Sequence, residues 1–453
     1  MAKSGKSKDI MNRLKADHVS FINLQFSDIM GMSKSVTIPT SKFKDAVETG
    51  LWFDGSSIEG FTRIFESDML LHPDLDTYSV VPWLSYNGEN IARVLCDVYT
   101  PDGKPYECDP RYILKKVIKE AEKMGFSYNT GPELEFFLFK MENGKIKTSS
   151  DKTIETHDRG QYFDLVLDLG FDVRRDMMKA LQFMGIDVEA SHHEVAPGQH
   201  EIDFRYGPAL TTADRVMTMK STLKTVAQKH GLLATFMPKP ITGVNGTGMH
   251  VHQSLFSLDG KTNLFFDAKD KYKLSKTAYH FLAGQMHHVK GMSAILNPLV
   301  NSYKRLVPGY EASTYICWAQ INRSALVRVP RYSPGKEKAT RLEIRCPDPS
   351  SNPYLDFAVL LKAGLDGIKN KMVPPEPVEE DVFEFDSEKL EKRHIEVLPY
   401  SLWHAIRSLT KDEVIASVLG EDMMKKYVRA KTEEWDDFRI RVTQWELDKY
   451  LEI

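Results

Sequence analysis

Apolar and acidic residues alternate through the segment GPELEFFLFK, residues 131–140. A period of two is typical of a β-strand, in which Glu133 and Glu135 share one face while the leucines and phenylalanine between them share the other. Two positions along a strand span roughly 7 Å, so the two carboxylates would repel each other in a poorly solvated place. The pattern predicts a strand with one apolar and one acidic face, and it raises the question of what the acidic face does.

Similar patterns divide the chain into regions of alternating strands and helices. The segment NIARVLCDVYT (90–100) predicts a strand, and Asp109 followed by Pro110 is typical of a helix amino terminus. We therefore expect a boundary near residue 108, with a small domain over 1–108 and a larger one over 109–453. Beyond the boundary the pattern predicts strands over 132–140, 200–206 and 247–255, helices over 173–183, 211–230 and 274–295, and a helical tail from Lys411.

The amino-acid composition limits the classes of protein to which the chain can belong. The 453 residues are 42% apolar and 27% charged, as in an ordinary globular protein with a sizeable core. The net charge of −3 gives no overall basic field, so we expect no nucleic-acid partner and no membrane partner. No apolar run approaches the ~20 residues that span a bilayer, and no secretory leader is visible. The four cysteines are widely scattered, which indicates reduced thiols and a cytoplasmic location.

Three further segments carry charged side chains at strand or turn positions. They are NGTGMHVHQSL (245–255) with His250, His252 and Ser254, RLEIRCPDP (341–349) with Arg341, Glu343 and Arg345, and VEASHHEVAPGQHEIDF (188–204) with Glu189, Glu194 and Glu201. Each segment alone could be a solvated face, a structural histidine pair or a ladder of ion pairs. Taken together with Glu133 and Glu135, they favour a cleft lined by acids, imidazoles and guanidinium groups.

An oxygen-rich set with imidazole is typical of sites for Mg²⁺ or Mn²⁺. Basic residues are also dense between 305 and 345, namely Arg305, Arg323, Arg328, Lys338, Arg341 and Arg345. A basic surface patch would explain them, but so would a polyphosphate, because guanidinium forks match phosphate oxygens. The segments GKS (5–7) and GKT (260–262) lack the preceding glycine of a P-loop. Divalent metals and a phosphate clamp together indicate phosphoryl transfer.

Two glycine-containing loops each carry a carboxylate. LWFDGSSIEGF (51–61) contains Asp54, and NSYKRLVPGYEAS (301–313) contains Glu311. Either loop could be an ordinary turn. As functional loops, they would bring an acid to the cleft and exclude water on closing.

The chain closely resembles the type I glutamine synthetases, prokaryotic ligases that join glutamate and ammonia at the expense of ATP. The resemblance is carried by FDGSSIEGF, GPELEFFLF, HHEVAPGQHEID, KPITGVNGTGMHVHQSL, NSYKRLVPGYEA, NRSALVRVP and RLEIRCPDPSSNPYL, all in family order. It implies an α+β fold with a small β-grasp-like amino-terminal domain. The larger catalytic domain would have a curved antiparallel sheet flanked by helices and a helical carboxyl-terminal tail.

The resemblance also implies a role for each matching residue. One metal ion would be held by Glu135, Glu194 and Glu201, and a second by Glu133, His250 and Glu343, so the two acids of one strand would serve different metals. ATP would contact Glu189, His252, Ser254, Lys338 and Arg341, with Arg328 on its phosphates. Glutamate would contact Asn245, Gly246, Arg305 and Arg345. Arg323 would stabilise the transferring phosphoryl group, Glu311 would shield the intermediate, and Asp54 of a neighbouring subunit, with Ser57 and Tyr162, would bind ammonium and take its proton.

Family members assemble as dodecamers of two stacked hexameric rings with active sites between subunits. The resemblance implies the same assembly here, with the final helix, VTQWELDKYLEI, reaching the opposite ring. Phe383 aligns with a tyrosine that some members modify by adenylylation, so that control should be absent. Arg63 matches a residue linked to feedback inhibition by glutamine in the shorter subgroup, and a PII-like regulatory protein is a possible partner. The usual GYEAP reads GYEAS here, which changes the residues at Ser313 and Thr314.

Two alternatives stay open at this point. A ligase on the same scaffold could join glutamate to a polyamine or to cysteine instead of ammonia. A catalytically inactive relative could bind the same ligands and only regulate. The matching ammonium, glutamate and metal positions argue against both.

Overall fold

The computed structural model describes residues 2–56, 58, 68–85, 87–148, 154–308 and 312–453. A small amino-terminal domain is built on a sheet with strand order β2-β1-β6-β4-β3 and β5 beside β6. Its elements are α1 (Ala2–Ala16), β1 (Val19–Ser27), β2 (Ser33–Pro39), α2 (Phe43–Thr49), β3 (Leu51–Asp54), β4 (Asp68–Pro73), β5 (Ser79–Val80) and β6 (Asn90–Tyr99). The first and last long strands, β1 and β6, lie parallel at its centre, as the predicted β-grasp domain requires.

The second sheet carries the acidic face. Its strands are β7 (Phe126–Glu142), β8 (Lys145–Ile146), β9 (Val188–His193), β10 (Gln199–Phe204), β11 (Gly207–Pro208), β12 (Leu232–Thr235), β13 (Val251–Ser257), β14 (Tyr315–Ala319), β15 (Ala325–Arg328) and β16 (Leu342–Ile344). The order is β14-β15-β16-β13-β7-β10-β9, and β8, β11 and β12 also pair with β7. The sheet is mixed rather than wholly antiparallel, because β14 and β15 run parallel.

The helices that flank this sheet or form the tail follow the predicted periods. They are α3 (Pro110–Lys123), α4 (Phe171–Phe183), α5 (Ala209–Lys229), α6 (Lys276–Leu296), α7 (Ser302–Arg305), α8 (Pro353–Lys369), α9 (Ser387–Lys392), α10 (Leu402–Leu409), α11 (Glu413–Arg439) and α12 (Gln444–Tyr450). Asp109 caps α3 as expected, since its carboxylate accepts from the backbone N–H of Arg111. The helices α6 and α8 cross closely at Gly284, where a Cβ atom would lie 2.2 Å from the carbonyl oxygen of Ala363.

The alternation in β7 has the predicted consequence. Leu134, Phe136 and Leu138 are fully buried in a core formed with α4 and α5, while the glutamates face the opposite side. The prediction for 247–255 was wrong at its start, because β13 begins only at Val251. The physical reason is a contact with a strand distant in sequence: the N–H of Gly248 donates to the carboxylate of Glu135 on β7 (2.9 Å) and so is not available to a regular strand ladder.

The carboxyl-terminal tail is helical, as its pattern predicts. The helix α11 is interrupted at Gly420, whose φ of 71° lies in the left-handed region that favours glycine. Beyond it, Trp445, Leu451 and Ile453 are exposed. Within the described residues, none of the helices combines the length and the apolar character that crossing a membrane would need.

A buried histidine joins three helical segments of the catalytic domain. His288 on α6 lies 2.8 Å from the carboxylate of Asp412, which caps α11, and 3.2 Å from that of Asp366 on α8. Burial alone would lower the pKa of His288, but the hydrogen bonds to the two aspartates outweigh it and raise the pKa. The folded state therefore holds this imidazole in its charged form more tightly than the unfolded chain does.

We expect His288→Gln to reduce stability by about 1–3 kcal/mol, since the two aspartates would lose a charged donor. The pKa of His288 is higher in the folded state, so its contribution is fully present below pH ~6.5 and is lost as the pH rises through the folded pKa. Thermal denaturation at pH 6 and pH 8 measures this difference, which should be larger at pH 6. His287→Gln, at the exposed neighbouring position, is the control. Equal losses for His288→Gln at both pH values would contradict the charged bridge.

Candidate active site

Two adjoining cavities open on the acidic face of the second sheet, with volumes of about 430 Å³ and 490 Å³. We call them the lower and the upper cavity. The lower cavity is lined by Glu133, Glu135, Tyr162, His192, Glu194, Val195, Gln199, Glu201, Asp203, Asn245, Gly246, His250, Arg305, Arg323, Arg328, Glu343 and Arg345. The upper cavity contains Glu189, His252, Ser254, Lys338 and Arg341, and both share Glu133 and Asp203. The predicted residues of four separate segments thus meet in one place.

Strand register brings the acids together. Pairing of β10 with β7 sets Glu201 opposite Glu135 and Asp203 opposite Glu133. Pairing of β13 with β16 sets His252 opposite Glu343. Directly paired residues on neighbouring strands have Cβ atoms roughly 5 Å apart, so the carboxylates are forced into contact with one another.

The first cluster contains Glu133, His250 and Glu343, whose potential ligand atoms lie within 4.8 Å of one another. Nδ1 of His250 is 3.2 Å from Glu133 and 3.9 Å from Glu343. Burial by itself would raise the pKa of Glu133, but the hydrogen bonds with His250 and His252 outweigh it and lower the pKa. Burial also lowers the pKa of His250, which favours the neutral imidazole that metal binding requires.

The second cluster contains His192, Glu194 and Glu201 within the same 4.8 Å limit. Nε2 of His192 lies 2.7 Å from Glu194 and 4.0 Å from Glu201. Glu135 lies beside this cluster, where Gln199 donates a hydrogen bond of 2.8 Å to its carboxylate. Burial, then the charge of Glu194, raises the pKa of Glu135 to about 8.

Several acids of the lower cavity are disfavoured in their ionised form by burial and by one another. Burial and then the neighbouring carboxylate of Asp203 raise the pKa of Glu201 well above its ordinary range. Asp203 itself has its pKa raised to about 6 by burial and by Glu133. Carboxylate oxygens with one imidazole are the donor set that Mg²⁺ and Mn²⁺ prefer, so the residues present fit divalent metal ions.

Arginines also line the lower cavity. Nε of Arg328 donates to Glu343 (2.5 Å), and Nη1 of Arg345 donates to the other oxygen of the same carboxylate (2.7 Å). Arg305 is buried and donates to the carbonyl oxygen of Cys346 (2.8 Å). Arg323 lines the cavity with an exposed side chain. The cavity is therefore lined by both acidic and basic side chains, which suits a metal–phosphate complex.

A chain of hydrogen bonds connects the two cavities. Nε of Arg341 donates to Nδ1 of His252 (3.0 Å), so the proton of the neutral imidazole must lie on Nε2. Nε2 then donates to Glu133 (2.8 Å). Arg341 thus fixes the tautomer of His252. His252, which lines the upper cavity, in turn orients the carboxylate of Glu133 through its Nε2–H group.

One predicted residue, Asp54, is not brought to these cavities, and three others lie outside the described residues. Asp54 ends β3 in the other sheet, where it is exposed, and it lines neither cavity. Hydrogen bonds from Ser56 lower the pKa of Asp54, which keeps it ionised. Ser57, Arg63 and Glu311 lie outside the described residues. Tyr162 does line the lower cavity, and its ring meets that of His192 edge-on with centroids 5.6 Å apart.

Sequence reasoning missed His192, Gln199 and Asp203. Asp203 follows Glu201 by two positions, so the same alternation that selected Glu133 and Glu135 could have found it. Gln199 precedes Glu201 by two positions and gives the same signal. His192 precedes Glu194 by two positions and so gives the same signal, whereas the adjacent His193 belongs to a different cluster with Asp158.

That other cluster, Asp158, His193 and His200, also has the spacing of a metal site. Arg174 donates to Nδ1 of His200 (2.8 Å), so Nε2 of this histidine carries the proton and offers no lone pair to a metal. Burial lowers the pKa of His200, consistent with a neutral ring. We interpret the cluster as structural, since it ties the segment before α4 to β9 and β10.

Comparison with known proteins places this geometry in a family. A family model described as "Glutamine synthetase, catalytic domain" matches residues 107–450, and one described as "Glutamine synthetase, beta-Grasp domain" matches residues 18–101. A glutamine synthetase of Clostridium saccharobutylicum is 52% identical over 100% of this chain and 99% of its own. One of Thermus thermophilus is 51% identical over 98% of both chains.

Solved structures agree with the sequence matches. The structure described as "GmaS/ADP complex-Conformation 1" has a TM-score of 0.86 and 32% identity, covering 98% of this chain and 99% of that one. A Plasmodium falciparum glutamine synthetase has a TM-score of 0.86 and 25% identity, covering 98% of both chains.

Proposed function

The chain belongs to the glutamine synthetase family. We propose on this basis which substrate each of its two cavities binds. Its activity is the ATP-dependent ligation of glutamate and ammonia to glutamine, through γ-glutamyl phosphate, with release of ADP and phosphate. Members of the family use ATP and divalent metal ions. The observation that carries our proposal is the meeting of acidic clusters and arginines in one cavity of about 430 Å³.

The upper cavity binds the nucleotide. Glu189, His252, Ser254, Lys338 and Arg341 line it, and it joins the lower cavity at Glu133. The similar structure in complex with ADP supports a nucleotide here. The triphosphate would extend toward the lower cavity, where Arg328 meets its terminal groups.

Two metal ions, Mg²⁺ or Mn²⁺, would be held between the cavities. Glu133, His250 and Glu343 would hold one, and Glu135, Glu194 and Glu201 the other, with His192 beside the second. When bound, such ions neutralise the phosphate oxygens and align them for in-line transfer. The protein's own contribution is to present these acids already in contact, with Gln199 and the N–H of Gly248 fixing the carboxylate of Glu135.

The lower cavity binds glutamate. Arg305 and Arg345 offer guanidinium groups to its carboxylates, and Asn245 and Gly246 line the adjacent wall. The side-chain carboxylate of glutamate attacks the terminal phosphorus of ATP, which gives the acyl phosphate and ADP. Arg323 offsets the charge of the transferring group. Ammonia then attacks the carbonyl carbon and phosphate leaves, while Glu311 shields the intermediate from water.

Ammonium must lose a proton before it attacks, so a carboxylate has to approach the cavity. We assign this role to Asp54 of a neighbouring subunit, with Ser57 of that subunit, and Tyr162 of the receiving subunit. The exposed apolar surface supports such an interface: Trp52, next to Asp54, is 57% exposed, and Leu165 and Val166, after Tyr162, are 91% and 83% exposed. These surfaces would be covered in a dodecamer of two hexameric rings.

The carboxyl-terminal segment and two further positions bear on assembly and regulation. The exposed Trp445, Leu451 and Ile453 suit a carboxyl-terminal segment that packs on the opposite ring. Phe383 has no hydroxyl and packs against the core around Tyr315, so adenylylation at this position is excluded by its chemistry. Feedback by glutamine through Arg63, a PII-like partner and a cytoplasmic location follow from the family resemblance.

A coupled assay of phosphate release tests the proposed function. With ATP, Mg²⁺ and glutamate, we expect slow release without ammonium and a strong increase when ammonium is added. Preference for a polyamine or another amine over ammonium would overturn the assignment of the acceptor. Absence of any phosphate release would indicate an inactive relative that only binds.

Substitution of one acid should have opposite effects with and without metal. In Glu201→Gln the repulsion with Glu135 and Asp203 is removed, so we expect the metal-free protein to melt at a higher temperature than wild type. Saturating Mn²⁺ should stabilise wild type by about 2.7 kcal/mol at 100 times its Kd, and the variant far less. Differential scanning calorimetry with EDTA or Mn²⁺ measures both effects.

Asp259→Asn is the matched control, because this aspartate is exposed and lies outside both cavities. Its response to Mn²⁺ should equal that of wild type. If Glu201→Gln lowers the melting temperature of the metal-free protein and keeps the full Mn²⁺ response, the acidic cluster is not a metal site.

A further inference from the structure

Ser313 is a buried hydroxyl between two arginines of the lower cavity. It precedes β14 and is only 1% exposed. Its Oγ accepts a hydrogen bond from Nε of Arg345 (3.3 Å) and donates one to the backbone carbonyl oxygen of Arg323 (3.3 Å). We propose that Ser313 is a positioning residue that aims the guanidinium of Arg345 at the carboxylate of glutamate. The inference rests on the proposed role of Arg345 in binding that substrate.

The direction of both hydrogen bonds follows from chemistry. The guanidinium of Arg345 has no acceptor, so the Ser313 hydroxyl must accept from it and can give its own proton only elsewhere. The carbonyl oxygen of Arg323 takes that proton. One hydroxyl thereby fixes the Arg345 side chain relative to the backbone of the segment that carries Arg323.

Arg345 is held at two adjacent nitrogens. Nη1 donates to Glu343 (2.7 Å), while Nε donates to Ser313. A planar guanidinium held at Nε and Nη1 can no longer rotate about its own axis, so its Nη2 group keeps one direction in the cavity. Among the described residues Nη2 has no hydrogen-bond acceptor, which leaves it available to a substrate carboxylate.

Glu343 cannot replace Ser313 in this role. Its carboxylate is shared with Arg328 and borders His250, so its position follows the charge of the whole cluster. Ser313 belongs to a different segment, and among the described residues its hydroxyl is hydrogen-bonded to Arg345 and to the backbone of Arg323 and to none of these groups. Proline, which the motif GYEAP would place here, has no hydroxyl and could make neither hydrogen bond. This chain therefore has a means of orienting Arg345 that depends on serine.

The test is a comparison of Michaelis constants in the assembled enzyme. For Ser313→Ala we expect the KM for glutamate to rise roughly three- to tenfold, with the KM for ATP within about twofold of wild type. Ser313→Thr retains a hydroxyl and should stay nearer to wild type. Ser293→Ala is the matched control, because Ser293 is equally buried and its hydroxyl only donates to the helix carbonyl of Val289.

A double-mutant cycle separates positioning from a general structural effect. In an Arg345→Lys background the Nε donor is gone, so adding Ser313→Ala should change the KM for glutamate by less than about 1.5-fold. A full additional loss in that background would overturn the inference, as would an unchanged KM for Ser313→Ala alone. If Arg345→Lys itself leaves the KM for glutamate unchanged, the proposed role of Arg345 fails and the inference fails with it. If Arg345→Lys raises the KM for glutamate but Ser313→Ala leaves it unchanged, the proposed function stands and this inference alone is wrong.

Discussion

Glu343→Ala should reduce kcat by roughly 10³-fold or more, the largest effect that we expect from a single substitution. The side chain of Glu343 is fully buried, and its two carboxylate oxygens accept from Arg328 and Arg345. Removal would delete a proposed metal ligand and leave both guanidinium groups without their counter-charge. Steady-state kinetics at increasing Mg²⁺ concentration measures the loss, which saturating metal should not restore.

Folding must be separated from catalysis in this experiment. Breaking a buried ion pair by removing one partner costs about 3–5 kcal/mol, so part of the Glu343→Ala effect could come from stability. Glu343→Gln keeps the shape, and it should retain the fold while losing most of the activity. Glu396→Ala is the control, since this exposed acid forms an ion pair with Lys290 and with no other described residue. Near-normal turnover of both Glu343 variants at saturating Mg²⁺ would refute the proposed metal cluster.

Asp54→Ala should raise the ammonium requirement by roughly 100-fold, because a positioned general base contributes about 10²–10⁴-fold. The ATP requirement should change by less than about twofold, since the proposed position of Asp54 is beside Tyr162, which lines the lower cavity and not the upper cavity assigned to the nucleotide. Raising the pH should partly restore activity, because unprotonated ammonia no longer needs the carboxylate. Measurement of the apparent KM for ammonium and for ATP at two pH values tests these expectations.

Asp68→Asn provides the control for Asp54. Asp68 is an exposed aspartate directly opposite Asp54 in the pairing of β3 with β4, so it shares the surface without the proposed role. We expect its ammonium requirement to match that of wild type. Equal increases in the ammonium and ATP requirements of Asp54→Ala would contradict its role as the base.

The local sequence pattern was sufficient to predict which face of a single strand is apolar. The alternation in GPELEFFLFK predicted the apolar side that packs on α4 and α5, and Asp109 with Pro110 predicted the start of α3. These features depend on neighbours in sequence, which is why they can be read without a structure. The boundary of β13 was missed because a side chain of a distant strand, Glu135, takes the backbone N–H of Gly248.

Long-range pairing could not be predicted from the residues themselves. Nothing within 188–204 reveals that Glu201 stands opposite Glu135, because register depends on which strands meet. For the same reason, the sequence does not show that His250 and His252 line different cavities, although they belong to one segment. The family resemblance implies ligand sets that the local pattern could not predict, and it gives no indication of the contact between Ser313 and Arg345.

We propose that acids and imidazoles from separate strands hold a pair of divalent ions below the terminal phosphate of a nucleotide. Isothermal titration of Mn²⁺ into the enzyme with a non-hydrolysable ATP analogue tests this arrangement. We predict two tight sites per chain in wild type, and one site in each of Glu135→Gln and Glu343→Gln. A single site in wild type, or an unchanged stoichiometry in both variants, would contradict the claim.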